Sequence, residues 1–354
     1  MTLEVNQRCN LRCKYCYLGE KDGSKLTYEI GCKAIDNAFK HTVIHKDRTL
    51  WIDFVGGEPL LDFDMIRRLV VYINRKNKEA DYKLLFSFTT NATVINHEIL
   101  DFMLANDFSV KVSIDGDQYV NDLNRIGCTG KGSYERILSN LRYFKDYETK
   151  SGRYIQVTNV ITGNNYEKYF DTLLYLTKEL DFKIIDTAID VGYQWTDQEI
   201  EIIAENIRRS FNYFIQAASE NQGFRWEFAD KVVNFRKDRK KFYSCGAGIV
   251  SSYVRTDGGV YACPGNLDLT VQLGTVQEGL NAQKICQLKH FEGINNSECQ
   301  SCEISRYCTE QACIMQNLAV MGDVNTPIPI MCRLRKLAYE LYINNQDIIQ
   351  RIEM

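Results

Sequence analysis

The sequence predicts an α/β protein, a partial (β/α)6 barrel followed by a cysteine-rich C-terminal domain. Three observations carry that prediction. Short apolar runs rich in β-branched and aromatic residues alternate with stretches of helical period through residue 189, the signature of a parallel sheet. A long amphipathic stretch over residues 196–221 then ends the alternation. Finally, most of the 13 cysteines are clustered: three stand at 9, 13 and 16, and a second group spans 245–332.

Taken in order, a first strand precedes Cys9, and Thr27 caps a helix whose apolar face carries Ile30, Ala34, Ala38 and Phe39. Residues 50–55 form a strand that stops at Gly56-Gly57-Glu58-Pro59. Residues 64–77 have helical period, 84–90 read as strand, 95–105 as helix and 109–114 as strand. Residues 134–147 are helical, 154–161 strand, 166–180 helical and 183–189 strand. Six such βα steps, joined by right-handed crossovers, curl into a full or partial barrel with its active site at the carboxyl ends of the strands. The long stretch at 196–221 is capped by Thr196 or Asp197 and is rich in Glu and Arg on its outer face. Beyond Ser244 the pattern breaks into short Gly- and Cys-containing segments and ends in an Arg/Lys/Tyr-rich helix at about 333–344. This divides the chain into a barrel (1–192), a helical connector (193–241), a cysteine-bearing domain (242–335) and a C-terminal helix (336–354). The basic run 236–241 reads as a solvated face, because its neighbours are not basic.

With 354 residues, 45% hydrophobic and 25% charged, the chain has enough apolar side chains for a large core. A net charge of -3 gives no general attraction to nucleic acid or to an anionic membrane, so both are disfavoured as partners. No apolar run is long enough to span a bilayer and no secretory leader precedes the first cysteines, which points to the cytoplasm. In that reducing compartment clustered cysteines are metal ligands rather than a disulfide framework.

Cys9, Cys13 and Cys16 form a C-x3-C-x2-C run. Three thiolates at this spacing can hold three irons of a [4Fe-4S] cluster and leave the fourth iron open. The alternative is a zinc site or a set of redox thiols, but tetrahedral zinc wants a fourth ligand nearby, and none of the 4 histidines is close. The run resembles the signature of the radical SAM superfamily. The resemblance implies that the open iron chelates the methionyl amine and carboxylate of S-adenosylmethionine, whose reductive cleavage yields a 5'-deoxyadenosyl radical. It also implies roles for further residues. Tyr15 resembles the aromatic residue that packs on adenine, and Gly56-Gly57-Glu58-Pro59 resembles the motif that contacts the methionyl amine. Ser113-Ile114-Asp115-Gly116 resembles the segment that reaches the ribose hydroxyls. Asn91 lines the same cavity, and Arg125 pairs with the methionyl carboxylate.

The later cysteines resemble the SPASM extension found in part of that superfamily: Cys245 and Cys263 around Gly258, then Cys299-x2-Cys302-x5-Cys308-x4-Cys313, then Cys332. The gap of four residues between Cys308 and Cys313 departs from the usual three. Two structural zinc ribbons are the alternative reading of these C-x2-C spacings. The resemblance covers nearly the whole chain and implies a TIM-like radical SAM barrel and three [4Fe-4S] clusters. Cys299, Cys302, Cys308 and Cys332 would ligate an outer auxiliary cluster, and Cys245, Cys263 and Cys313 an inner one. Three ligands would leave an open iron there, able to bind and deprotonate a substrate thiol. Cys286 is the other possible source of a fourth ligand.

SPASM enzymes mostly modify peptides, and the opening segment resembles maturases of ribosomally synthesised precursor peptides. The stretch from Cys313 through Gly322-Asp323 to Cys332 resembles maturases of cysteine-repeat peptides. The implied reaction is thioether formation between a cysteine sulfur and an acceptor-residue carbon, as in sactipeptides and ranthipeptides, with an external electron donor such as flavodoxin or ferredoxin. Two other enzymatic readings stay open. One is a peptide epimerase with Cys128, in Arg-Ile-Gly-Cys-Thr-Gly-Lys-Gly, as hydrogen donor; the other is a sulfatase-type maturase that makes formylglycine. A non-enzymatic reading is an iron-sulfur electron carrier, which would have no use for an adenosyl pocket. With only eight residues before Cys9, leader recognition falls to the barrel, the connector or a separate leader-binding protein.

Overall fold

A computed structural model describes residues 1–19, 21–42, 47–235, 245–291, 295–309 and 313–352. In chain order the elements are β1 (Thr2–Asn6), α1 (Tyr28–Thr42), β2 (Thr49–Gly56), α2 (Phe63–Ala80), β3 (Lys83–Thr90), α3 (His97–Ala105), β4 (Ser109–Ser113), α4 (Gln118–Asn124), α5 (Tyr134–Ser151), β5 (Gln156–Ile161), α6 (Tyr169–Leu174), β6 (Ile184–Ile189), α7 (Asp197–Ser219), β7 (Arg225–Trp226) and α8 (Glu227–Val233). The C-terminal part adds β8 (Tyr253–Val254), β9 (Gly259–Tyr261), β10 (Gly274–Thr275), β11 (Gly279–Leu280), α9 (Ala282–Lys289), α10 (Ser297–Ser301), α11 (Ile314–Met321), α12 (Pro329–Asn344) and α13 (Gln346–Ile352).

The α/β class read from the alternation is the observed one, and the differences are local. On α1 the buried positions are Gly31, Ala34, Ile35, Phe39 and Thr42, so Ile35 faces inward while the expected Ile30 and Ala38 are half-buried. The short α4 was not anticipated; it starts where Asp117 Oδ1 accepts from Val120 N at 2.9 Å. The stretch 166–180 is not one helix but a 3-10 turn (Tyr166–Lys168), α6 and a π segment (Tyr175–Glu179). There Thr177 Oγ1 donates to the carbonyls of Leu173 and Leu174, a side-chain bond of the kind that competes with the regular ladder. The helix expected at about 333–344 begins earlier, at Pro329, where a proline suits a first turn whose N–H groups are unpaired anyway. The basic run 236–241 lies outside the described residues.

The chain divides into two compact units. The first comprises Met1–Ser113, Ile126–Ile155 and Cys245–His290. Its strands lie in the order β11-β10-β9-β8-β1-β2-β3-β4. The pairs β1/β2, β2/β3, β3/β4 and β1/β8 are parallel, while β8 to β11 pair antiparallel. Register is set by alternation: Leu50 pairs with Leu84 and Ile52 with Phe86. The core gathers around Phe108, whose ring centroid lies 5.4 Å from Phe86, 5.5 Å from Phe88 and 5.6 Å from Phe102. Burying each such ring contributes about 1.5–3 kcal/mol, and that packing fixes where the strand ends fall.

The second unit comprises Ile114–Arg125, Gln156–Ser244 and Phe291–Met354. Its strands β5, β6 and β7 are parallel, with Val157 opposite Ile185 and Ile185 opposite Trp226. Fully buried Trp226 packs on Tyr169 and Phe228, with centroids at 6.3 and 5.5 Å. Helices α7 and α12 enclose a cleft of about 500 Å³ lined by Ile200, Ala204, Arg208, Leu334, Leu337 and Glu340, among others. Arg208 spans it, bonded to Glu340 at 3.1 Å and to Glu201 at 3.1 Å. Among the described residues no helix is long and apolar enough to cross a membrane.

Candidate active site

In the first unit the site is built from the carboxyl ends of β1, β2 and β3. Strand β1 runs out at Asn6 into the loop that carries Cys9, Cys13, Tyr15 and Cys16, all half-buried. Beside it, the turn after β2 needs both its glycines. A Cβ on Gly56, at φ +154, would come within 2.2 Å of Asn6 O, and one on Gly57 within 2.2 Å of Arg8 O. The gap they leave is filled by the chain itself: Gly57 N donates to Asn6 O at 2.9 Å and Glu58 N to Arg8 O at 2.7 Å. The Gly-Gly turn and the start of the cysteine loop are thus held edge to edge.

Glu58 is fully buried, and its carboxylate ties two strand ends together. Oε1 accepts from Leu60 N at 3.1 Å and Thr90 Oγ1 at 2.9 Å; Oε2 accepts from Asn91 N at 2.6 Å. Fixed in this way, Asn91 extends its amide to the cysteine loop. Nδ2 donates to Asn10 Oδ1 at 2.9 Å and points at Cys9 Sγ at 3.7 Å, while Oδ1 accepts from Thr93 N and Thr93 Oγ1 at 3.0 and 2.6 Å. Asn10 Nδ2 closes the ring by donating to Thr93 Oγ1 at 2.7 Å. Cys9 Sγ also accepts from Leu11 N at 3.4 Å. Asn10 and Thr93 were not singled out from the sequence; the adjacency of Asn10 to Cys9 was the available signal.

A second segment clasps the same loop. Leu11 bridges to Gly127, Arg12 N donates to Ile126 O at 2.7 Å, and Cys128 N approaches Asn10 O at 3.3 Å. The exposed Cys128 thiol lies 3.3 Å from Asn10 O and 3.7 Å from Cys9 O, so the cysteine of the epimerase reading stands against the C-x3-C-x2-C loop.

Ser113, the last residue of β4, is half-buried. In the second unit Asp115 is fully buried and its Oδ1 accepts from Val160 N at 3.2 Å, while Thr172 Oγ1 donates to Asp115 O at 3.3 Å. Arg125 is 4% exposed, a buried rather than a surface arginine, and it ends α4 with its N–H on Asn121 O at 2.9 Å.

The later cysteines fall in both units. In the first, burial pushes the Cys263 thiol up; the N–H groups of Gly265 and Asn266 pull it down, and the neighbouring Cys245 raises it further. Cys286 is exposed on α9, with its Sγ 3.4 Å from His290 Nδ1. In the second unit Cys299, Cys302 and Cys308 sit close enough that, after burial, the other two thiols raise Cys299. Cys299 lies in α10, capped by Asn296 Oδ1, which accepts from Cys299 N at 3.1 Å. Cys332 is in the first turn of α12, and Arg335 Nη2 on the same helix donates to Tyr307 O at 2.8 Å, next to Cys308. Cys313 precedes α11, with its thiol 3.2 Å from Gln316 Oε1. Of the unusual Cys308 to Cys313 gap, residues 310–312 lie outside the described residues.

A model of the Radical SAM superfamily matches residues 3–176. Among relatives, an uncharacterized protein of Methanocaldococcus jannaschii is 31% identical over 189 residues, 52% of this chain and 62% of that protein, so the chain spans less than two thirds of its length. The cysteine-type anaerobic sulfatase-maturating enzyme of Clostridium perfringens is 23% identical over 322 residues, 85% of this chain and 84% of that enzyme. Native anSMEcpe solved with bound AdoMet superposes with a TM-score of 0.79 at 19% identity, over 99% of this chain and 98% of that one. Streptococcus suis SuiB, solved bound to precursor peptide SuiA, gives 0.63 at 16%, over 94% and 75%. At these identities the likeness shows the fold. With a C-x3-C-x2-C loop packed on a Gly-Gly-Glu turn at the strand ends, and with the family match over the same stretch, residues 3–176 are a radical SAM domain.

Proposed function

We propose that the chain is a maturase of ribosomally synthesised peptides that forms a thioether between a cysteine sulfur and a carbon of an acceptor residue. The residues present fit the groups this requires. Cys9, Cys13 and Cys16 would hold a [4Fe-4S] cluster, and the two N–H groups directed at Cys9 Sγ suit a cluster thiolate. Near them Asn6 is fully buried, bonded through Nδ2 to Glu58 O and Asp62, with an Oδ1 that accepts no bond among the described residues. An open buried acceptor there suits the ammonium of S-adenosylmethionine. In the first unit Gly56, Gly57 and Glu58 would frame that end of the ligand, with Tyr15 and Ser113 for the rest; the roles of Asp115 and Arg125 rest on the sequence resemblance. The bound cluster and S-adenosylmethionine supply a 5'-deoxyadenosyl radical.

The observation that carries the thioether reading is the inner cysteine set. Cys245 and Cys263 are neighbours, no cysteine stands between them in the sequence, and the Cys286 thiol is turned to His290. By the spacing of the sequence Cys313 would be their third ligand, which would leave that cluster one protein ligand short and able to take a substrate sulfur; Cys299, Cys302, Cys308 and Cys332 would hold the third cluster. The balance is an oxidative coupling. One C–H and one S–H bond would break and one C–S bond form; the carbon's hydrogen would leave on 5'-deoxyadenosine, the thiol proton would go to solvent, and the cysteines of the 245–332 group would hold the cluster able to take up the remaining electron. The peptide substrate is supported by the precursor peptide bound to the structural neighbour SuiB. Incubating reduced, reconstituted enzyme with S-adenosylmethionine and a cysteine-bearing precursor is expected to lower the peptide mass by two hydrogens. Turnover to 5'-deoxyadenosine with an unchanged peptide mass contradicts the reading.

A second reading has an observation in its favour: the Cys128 thiol beside the Cys9 loop. A thiol there could return hydrogen to an α-carbon radical and invert the residue. Epimerisation leaves the composition unchanged but takes one deuterium from D2O-exchanged thiol. A third product is distinguishable as well: a formylglycine maturase converts the cysteine to an aldehyde and removes its sulfur.

A further inference from the structure

We propose that Asn91 acts through Cys9 as a positioning residue, donating an N–H···S hydrogen bond that makes the radical SAM cluster easier to reduce. The proposal rests on Cys9 being a cluster ligand, as inferred above. Its geometry follows from groups that admit only one orientation. Thr93 N can only donate, and it points at Asn91 Oδ1 from 3.0 Å. That fixes the amide, so Nδ2 is the atom 3.7 Å from Cys9 Sγ and 2.9 Å from Asn10 Oδ1. The backbone is equally fixed, because Asn91 N is held by the buried Glu58 carboxylate at 2.6 Å and Ala92 follows at φ +60. Asn91, Asn10 and Thr93 form a closed ring of side-chain hydrogen bonds, and the second N–H of Asn91 Nδ2, which the ring does not use, faces sulfur.

A donor on a cluster thiolate stabilises the more negative, reduced state, and hydrogen bonds to the sulfurs are among the factors that set cluster potentials. Leu11 N supplies one such donor to Cys9 from the loop itself, and Asn91 supplies one from the end of β3. The chain from Glu58 through Asn91 to Cys9 thereby couples the Gly-Gly-Glu turn to the cluster.

The test is an EPR-monitored redox titration of the reconstituted full chain, following the cluster signal that changes when S-adenosylmethionine is added. Asn91→Ala is expected to lower the midpoint potential of that signal, and Asn91→Asp, which sets a carboxylate oxygen against the thiolate, to lower it further. The signals that do not respond to S-adenosylmethionine keep their midpoints. A purely structural role would not order the two variants by charge. Unchanged midpoints in both variants with wild-type iron content overturn the proposal. If either variant fails to load iron, Thr93→Ala, which loosens the amide, carries the test: a lower midpoint supports the proposal and an unchanged one overturns it. Failure of the underlying assignment shows separately, as a Cys9→Ala variant that keeps the responsive signal.

Discussion

Glu58 shows how much one residue decides. From the sequence its carboxylate, placed after two glycines at a strand end, is read as a group for a ligand amine. In the fold it is fully buried and accepts from Leu60 N, Thr90 Oγ1 and Asn91 N. Two of these partners lie more than thirty positions away, and no local pattern reveals them. Glutamine at this position presents N–H groups where chain donors already point, leaving buried donors facing each other. Glu58→Gln is therefore expected to cost about 1–3 kcal/mol, read from chemical denaturation of the metal-free chain. An unchanged stability contradicts the role given to the carboxylate. The cysteine triad, by contrast, was legible outright, because spacing on one loop is a local property. The Asn10, Asn91 and Thr93 ring was not, since it depends on where β3 ends relative to β1.

At the scale of elements, strands and long helices follow from period and composition, and the observed ones agree with that reading. What escaped it has physical reasons. The seven residues of α4 are too few to display a period, and the stretch 166–180 keeps a helical pattern while its backbone changes pitch around Thr177. The connector helix α7 has a complete capping box: Glu199 N donates to Thr196 Oγ1 at 3.3 Å, and Thr196 N donates to Glu199 Oε2 at 2.8 Å. Thr196→Ala is expected to destabilise the fold by about 1 kcal/mol, seen as a lower Tm with iron loading unchanged. A loss of cluster signal in that variant contradicts the assignment of α7 as a connector. The clasp of residues 126–132 on the cysteine loop is a tertiary pairing of two irregular segments, which periodicity cannot foresee.

For the whole molecule, the distribution of cysteines was legible as two groups, and the first lies inside the radical SAM domain matched over residues 3–176. The second group separates the readings of function. Cys286, on exposed α9 beside His290, is expected to be dispensable: Cys286→Ala retains wild-type iron and auxiliary-cluster spectra. Iron loss in that variant closes the inner site and removes the place for a substrate sulfur. The most direct measurement is mass spectrometry of a cysteine-bearing precursor peptide after anaerobic turnover in D2O buffer. The account predicts loss of two hydrogens, a carbon-sulfur crosslink in the fragment spectrum and no deuterium at the α-carbons. A peptide of unchanged composition carrying one deuterium, or one that has lost its cysteine sulfur, contradicts it.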